Sequence, residues 1–274
     1  MKTLVCVVAF GVATTECAAG FEGLEAGARP LALGSAFVGL ANDSWAAAFN
    51  PAGIARLQFP SVSVFYSPQP FGVPELRSLS LSAAFPLSAV SLGGLVHQFG
   101  FELYRELSCL VSIASEISGI YTGVNIAYHS AAIARYGSAG TVGVDVGILA
   151  PVMTNFSLGF AARNINAPKI GEAGEPLPQV FTIGVSYQPT QDFGITADYQ
   201  KELGFSPSSR VGFEYRVIPR VSLRAGISDE PSTYTAGLGV GYNLFEIDYA
   251  FRYHEELGMT HQFSLTLHWS KSDE

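Results

Sequence analysis

From residue 59 to residue 270 the chain alternates apolar and polar residues with a period of two, in stretches of about ten residues. In the last stretch Phe263, Leu265, Leu267 and Trp269 share one face, and Gln262, Ser264, Thr266 and His268 share the other. Phe181, Ile183, Val185 and Tyr187 oppose Thr182, Gly184, Ser186 and Gln188 in the same way. So do Val211, Phe213, Tyr215 and Val217 against Arg210, Gly212, Glu214 and Arg216, and residues 245 to 254 repeat the split. Side chains on a strand point alternately to the two faces of a sheet, so a period of two is the signature of a half-buried β-strand and not of a helix. The pattern gives 14 segments: 59–68, 77–86, 88–98, 101–115, 118–129, 140–150, 154–164, 178–188, 192–202, 207–217, 219–228, 232–243, 244–254 and 260–270.

Segment length separates two kinds of sheet protein. Soluble sandwiches favour strands of about 5–6 residues, and membrane-spanning strands need about 9–11. Most of these segments belong to the second kind. Composition agrees: only 14% of residues are charged, against about 25% in an ordinary soluble domain. Outside the N-terminus no apolar run approaches the roughly 18 residues of a spanning helix. Such a chain hides its apolar face in lipid only as a closed barrel, because the bilayer core offers an open sheet edge no hydrogen-bond partner. The expected fold is all-β, a closed 14-stranded antiparallel transmembrane β-barrel. The net charge of −8 argues against a nucleic-acid partner, since phosphate binding needs a basic surface.

The links between segments test this independently. Bacterial barrels have short periplasmic turns and longer outside loops. Links after even segments are tight: Pro86–Ser88, Ser115–Ser118, Pro151–Met153, Pro189–Gln191, Val217–Pro219 and the Asn243-Leu244 step. Links after odd segments, among them Gln69–Leu76, Ser130–Ala139, Ile165–Leu177, Leu203–Ser206 and Glu255–Met259, are generally longer. Both chain ends then fall on the periplasmic side. Aromatic residues on the apolar face gather near segment ends: Tyr187, Phe193, Tyr242, Phe245 and Trp269 at the periplasmic rim, and Tyr66, Tyr199 and Tyr253 toward the outer rim. That resembles the aromatic girdles of membrane barrels. Arg105 alone places a charge on the apolar face, which predicts a bulge or register shift in segment 101–115.

Residues 1–19 read as a secretory signal. Lys2 is its positive start, Leu4 to Ala13 its apolar core, and Cys17-Ala18-Ala19 supplies small residues for a cut after or close to Ala19. Thr15-Glu16 breaks the rival lipoprotein pattern. Cys6 and Cys17 leave with the signal, and the remaining Cys109 reads as a small buried or lipid-facing residue. Residues 20–58 are not strand-like. Asn42-Asp43-Ser44 is a helix-start signal before Trp45-Ala46-Ala47-Ala48-Phe49, and Pro51 forces a break at Asn50-Pro51. Residues 59–270 form the barrel and residues 271–274 a periplasmic tail.

The stretch Gly27-Ala28-Arg29, then Leu33 to Asp43, then Trp45 to Gly53 ending in Asn50-Pro51-Ala52-Gly53, resembles the N-terminal signature of the PorV/PorQ and long-chain fatty-acid transporter (FadL) group. The resemblance implies a 14-stranded outer-membrane barrel whose N-terminal segment forms a short helical hatch in the lumen. On this reading Asn42, Asp43, Ser44, Asn50, Pro51, Ala52 and Gly53 are the hatch and gate residues. The polar groups among them would partner the lumen charges. The chain is shorter than typical fatty-acid transporters and lacks their long outside loops, which favours the PorV/PorQ side.

Asp145, Arg163, Asp198, Glu214, Arg216, Arg224, Glu246, Asp248 and Arg252 fall on the polar, lumen-facing side. Mutual ion pairing that anchors the hatch is one reading, and a selective aqueous pathway is the other. The five histidines have no metal-ligand spacing. Gly237-Leu-Gly-Val-Gly241 lacks the strand–turn–helix of a dinucleotide loop and reads as room for a plug or a neighbour. An acyl hydrolase would need a serine, a histidine and an acid close together. Ser264 and His268 share a face but lie about 13 Å apart along a strand. No cofactor is expected. Two functions remain open. One is hatch-gated passive transport of a small hydrophobic ligand. The other is a PorV-like accessory protein that docks exported proteins or a secretion-system channel, with the barrel as its anchor in outer-membrane lipid.

Overall fold

The computed structural model describes residues 20, 21, 24 and 26–269; the expected signal and the 271–274 tail lie outside the described residues. The strands are Ser61–Ser67 (β1), Ser78–Pro86 (β2), Ser91–Gly100 (β3), Tyr104–Ile117 (β4), Ile120–Ile133 (β5), Gly137–Met153 (β6), Phe156–Arg163 (β7), Lys169–Ile170 (β8), Glu175–Pro176 (β9), Val180–Tyr187 (β10), Phe193–Glu202 (β11), Ser208–Ile218 (β12), Val221–Asp229 (β13), Ser232–Tyr242 (β14), Phe245–His254 (β15) and Gly258–His268 (β16). All but β8 and β9 form one closed antiparallel barrel in chain order, sealed where β1 pairs β16 from Ser61↔His268 to Tyr66↔Phe263. The pair β8–β9 is a small hairpin in the link between β7 and β10. Among the described residues no helix is long and apolar enough to cross a membrane.

The face assignments follow the alternation. Ile113, Ile126, Ile183 and Ile247 point outward and are each more than half exposed. On the opposite face Ser63, Ser82, Ser112, Asn125, Asp145, Asp198 and Asp248 are buried. Tyr187, Tyr242, Phe245 and Trp269 are exposed near one rim, and Tyr66, Tyr199 and Tyr253 near the other. A folded chain that buries its charges inside and exposes an isoleucine belt outside has the polarity of a barrel in lipid.

Two expectations are corrected. The link 130–139 is not a long loop: β5 runs on to Ile133 and β6 starts at Gly137, leaving a three-residue turn. Positive φ angles at Arg135 (70°) and Gly137 (102°) make that reversal tight. The contrast between rims therefore rests on two links, 68–77 and 164–179. We call their side the long-link rim and the opposite side the short-link rim. Arg105 causes no bulge. Pairing of β4 with β3 and β5 is continuous through it, from Gly100↔Arg105 and Arg105↔Ala132 onward. It is the second residue of β4, so its charge reaches out at the long-link rim and not at mid-strand. The register shifts lie elsewhere, at Pro151/Met153 between β6 and β7 and at Arg216/Ile218 between β12 and β13. Pro151 has no N–H to give the ladder, which accounts for the first.

Residues 26–57 lie inside the barrel. They form a helix at Ala28–Ala32 (α1), a helix at Ala46–Phe49 (α2) and a 3-10 turn at Pro51–Arg56. Gly27, with φ of 85°, starts α1 where a Cβ would strike the Trp45 ring at 2.6 Å. The Asp43 carboxylate accepts the Trp45 N–H at 2.9 Å just before α2. Asn50 turns extended (φ −152°, ψ 101°), and its side chain accepts the Ala52 N–H at 3.2 Å, capping the turn that Pro51 begins. Leu33, Phe37, Trp45 and Ile54 of this segment join Phe65, Leu95, Leu110 and Leu149 of the wall in one apolar cluster. Trp45 meets Phe65 edge to face at 6.3 Å.

Candidate functional site

Small residues on the lumenal wall let the N-terminal segment lie close. A Cβ at Gly159 would overlap the Val38 carbonyl, and a Cβ at Gly147 would overlap Asn50 Oδ1. Gly237 gives way to Ala32 in the same manner. Gly239 instead makes room for a neighbouring side chain, since a Cβ there would lie 2.6 Å from Arg224 Nη1 and 2.7 Å from Asp248 Oδ1. Gly241 faces open space.

Hydroxyl and amide side chains of the wall hold the segment's backbone. Ser264 Oγ accepts the Ala28 N–H at 2.8 Å, and Thr235 Oγ1 donates to the Ala32 carbonyl at 2.9 Å. Ser157 donates to the Gly39 carbonyl at 2.7 Å, Ser82 to the Ser44 carbonyl at 2.7 Å, and Asn125 to the Ala47 carbonyl at 2.9 Å. Asp198 Oδ2 accepts two backbone N–H groups, Phe37 at 2.8 Å and Val38 at 2.9 Å. Buried backbone groups outside a helix or ladder need such partners.

The charged contact to the segment runs through Arg29. Its Nη1 donates to Asn42 Oδ1 at 2.7 Å and Asp43 Oδ2 at 2.8 Å, and its Nε and Nη2 reach both oxygens of Glu214. Glu214 Oε2 also accepts from Arg224 Nε at 2.7 Å. Arg224 extends the chain to Asp248 at 2.5 Å and Glu246 at 3.4 Å, and Glu246 lies 3.5 Å from His268. Burial works against the Arg29 charge, but Glu214 and Asp43 outweigh it and hold the guanidinium well above its ordinary value. Burial pushes the Asp43 carboxyl up despite Arg29; Arg29 gives Glu214 two prongs and Asp43 one, so the weaker share falls to Asp43.

Ser44 and Ser63 share a hydrogen bond of 2.7 Å, and Asn50 Nδ2 donates to the Val38 carbonyl at 2.9 Å and the Ile148 carbonyl at 3.1 Å. Pro51, Ala52 and Gly53 are buried, with Gly53 packed on the Ala41 backbone. Asp145 accepts from Asn125 at 3.1 Å and from the Asn164 N–H at 2.9 Å. Arg163 and Arg252 line the lumen, with Arg252 over the Phe71 ring at 5.5 Å. Arg216 stands apart: half-exposed at the short-link rim, it comes no nearer than 3.9 Å to Asp192. Sequence reasoning missed Arg29 and the wall serines as contacts. Their signal was present, as hydroxyls at mid-strand on the polar face, but read only as lining.

Two cavities flank the segment. The larger, of about 830 Å³, opens toward the long-link rim. Leu31, Val38, Phe49, Phe71 and Phe99 give it apolar surface, and Arg163, Asp198, Gln200 and Arg210 give it polar surface. The smaller, of about 210 Å³, lies toward the short-link rim beside Arg29, Asn42, Asp192 and Glu214. The stretch Leu33–Leu40 lines both: Gly34, Ser35 and Val38 face the larger, Leu33 and Leu40 the smaller. Among the described residues no three His, Cys, Asp or Glu side chains are grouped to hold a metal. Ser264 is bonded to Ala28 and His268 faces Glu246, so they meet different partners.

No protein-family model matches the chain, and no curated protein matches it. Solved structures do. The toluene transporter TodX of Pseudomonas putida aligns over 91% of this chain and 99% of its own, with a TM-score of 0.67 at 12% identity. A Pseudomonas aeruginosa FadL homologue aligns over 85% of this chain and 95% of its own, with a TM-score of 0.61 at 13% identity. The chain thus shares its barrel fold with outer-membrane transporters of the FadL and TodX type.

Proposed function

We propose that this chain is a bacterial outer-membrane barrel for passive movement of small hydrophobic molecules, gated by a hatch made of its N-terminal segment. The observation that carries this reading is the pair of cavities parted by Leu33–Leu40. A ligand entering from the long-link side meets apolar surface at Leu31, Val38, Phe49, Phe71 and Phe99 beside a polar wall that includes Glu106, Arg163, Asp198 and Arg210, a mixture of apolar lining and placed polar groups that suits a small-molecule site. To pass on, it must displace Leu33–Leu40 or the Asn50-Pro51 turn. Arg29, Asp198, Ser44 and Asn50 hold those elements, so hatch release is the gating step. No cofactor or energy source enters the scheme. The lumen charges serve as anchors more than as a selectivity ring, since Glu214 and Asp248 are paired with Arg29 and Arg224. Among the described residues no feature of the lumen or the rims favours the accessory-protein reading.

The test is uptake of radiolabelled toluene and of palmitate by liposomes carrying the purified barrel. Faster entry than into empty liposomes for either supports the proposal. Entry no faster for both, with a stoichiometric protein partner copurifying from the native membrane, overturns it in favour of the accessory role.

A further inference from the structure

Glu106 of β4 is a buried carboxylate on the wall of the larger cavity. Its oxygens accept the Tyr104 hydroxyl at 2.5 Å and the Phe21 N–H at 3.0 Å. Among the described residues no lysine, arginine or histidine pairs with it, although a buried carboxylate without a counter-charge is costly. Gly20 lies against the same oxygens. A Cβ built on it would stand 3.1 Å from Glu106 Oε1 and 3.1 Å from the Tyr104 hydroxyl. In the sequence Gly20 follows Ala18-Ala19, the small residues that close the leader-like stretch.

We propose that the chain is cut between Ala19 and Gly20 and that the α-ammonium so formed is the counter-charge of Glu106. Water adds across the Ala19–Gly20 bond. The Ala19 carbonyl carbon takes the hydroxyl and departs with residues 1–19 as a carboxylate. The Gly20 nitrogen takes the proton and is mostly ammonium at pH 7, since a free α-amino group has a pKa of about 7.7–8.0. The catalyst is a leader peptidase of the exporting cell. The new terminus then belongs to the cavity wall, beside Phe21, His97 and Tyr104. Before the cut no ammonium exists at that point. The inference does not depend on what the barrel carries.

The experiment uses protein extracted from outer membranes of an expressing Gram-negative cell. Intact mass and terminal sequencing give the first residue, and acetylation by N-hydroxysuccinimidyl acetate at pH 7 gives the reactivity of its amine. Lys169 and Lys201 serve as internal controls. A pairing carboxylate favours the unreactive ammonium. The expected result is a start at Gly20, with terminal acetylation about tenfold slower than in Glu106→Gln, the lysine rates being equal. Tenfold corresponds to about 1.4 kcal/mol of pairing. Tyr104→Phe keeps the carboxylate charge and is expected to stay within about threefold of the parent, which separates loss of charge from general loosening. A start at any other residue overturns the proposal even if Glu106→Gln fails to insert. So does a terminal amine that reacts equally fast in the parent and in Glu106→Gln.

Discussion

Arg29 meets Glu214 in a two-pronged contact, Nε to Oε2 at 2.9 Å and Nη2 to Oε1 at 3.1 Å, so one guanidinium ties the N-terminal segment to β12. Its remaining nitrogen holds Asn42 and Asp43 of the same segment. Arg29→Ala leaves Asp43 without its counter-charge and Glu214 with Arg224 alone. Breaking a buried pair from one side costs about 3–5 kcal/mol; partial exposure of Glu214 puts the expected value near the lower figure. The barrel ladder is untouched, so heat-modifiable migration on a gel is expected to survive while ion leakage through reconstituted barrels rises. Arg29→Lys keeps the charge but loses the fork and is expected to fall between. Leakage equal to the parent in both variants sinks the latch.

Asp198 secures the same segment by a different bond. Its Oδ2 accepts from both Phe37 and Val38 N–H groups, where the segment passes between the cavities. Asp198→Ala leaves two buried donors empty, each costing about 1–3 kcal/mol. Hydrogen exchange at Phe37 and Val38 is expected to speed by at least about tenfold, with strand amides unchanged. Asp198→Asn retains an acceptor oxygen and is expected to lose less. Unaltered exchange at both amides in Asp198→Ala would mean that the two bonds do not hold the segment.

The wall's glycines can be told apart by what they face. A side chain at Gly159 would overlap the Val38 carbonyl, whereas one at Gly241 meets nothing within 4 Å. Gly159→Val is therefore expected to displace the segment and raise leakage while the barrel still forms, because overpacking costs about 1–3 kcal/mol. Gly241→Ala is expected to be silent in the same assay. Equal behaviour of the two would leave the close fit without consequence.

The barrel was legible from residues because lipid and lumen impose opposite chemistries on alternate positions. Phe263 and Ser264 reveal their faces without any neighbour being known. What escaped was whatever depends on tertiary approach. Arg105 looked like an error of register only because the start of β4 at Tyr104 could not be read from a continuous alternation. Ala131 and Ala132 looked like loop residues, yet they pair with Ser138 and Ala139 on β6. In the lumen, charge drew attention to Asp198, which does hold two backbone N–H groups of the segment, but also to Asp145 and Arg216, while Ser82, Ser157, Thr235 and Ser264, which hold further backbone groups, passed as lining. A serine that lines water and a serine that grips a carbonyl look the same in a sequence. Arg29 sat within the recognisable N-terminal signature, but its partner Glu214 lies 185 residues away.

Ser44 and Ser63 offer a direct test of whether the segment must move. Their hydroxyl oxygens are 2.7 Å apart, between the segment and β1. A disulfide spans about 2.05 Å between sulfurs, so cysteines at these positions are close enough to join with little backbone shift. In a Cys109→Ala background, Ser44→Cys with Ser63→Cys is expected to oxidise readily and to lock the segment to the wall. If ligand passes only when the segment is displaced, toluene or palmitate entry into liposomes falls at least about fivefold on oxidation and returns on adding a thiol reductant. Each single cysteine variant should respond to neither. Full transport by the oxidised double variant, with the crosslink proven by mass, would show that the path bypasses the segment. The gate would then have to be sought in the wall, beginning at the interrupted pairing of β6 with β7 at Pro151.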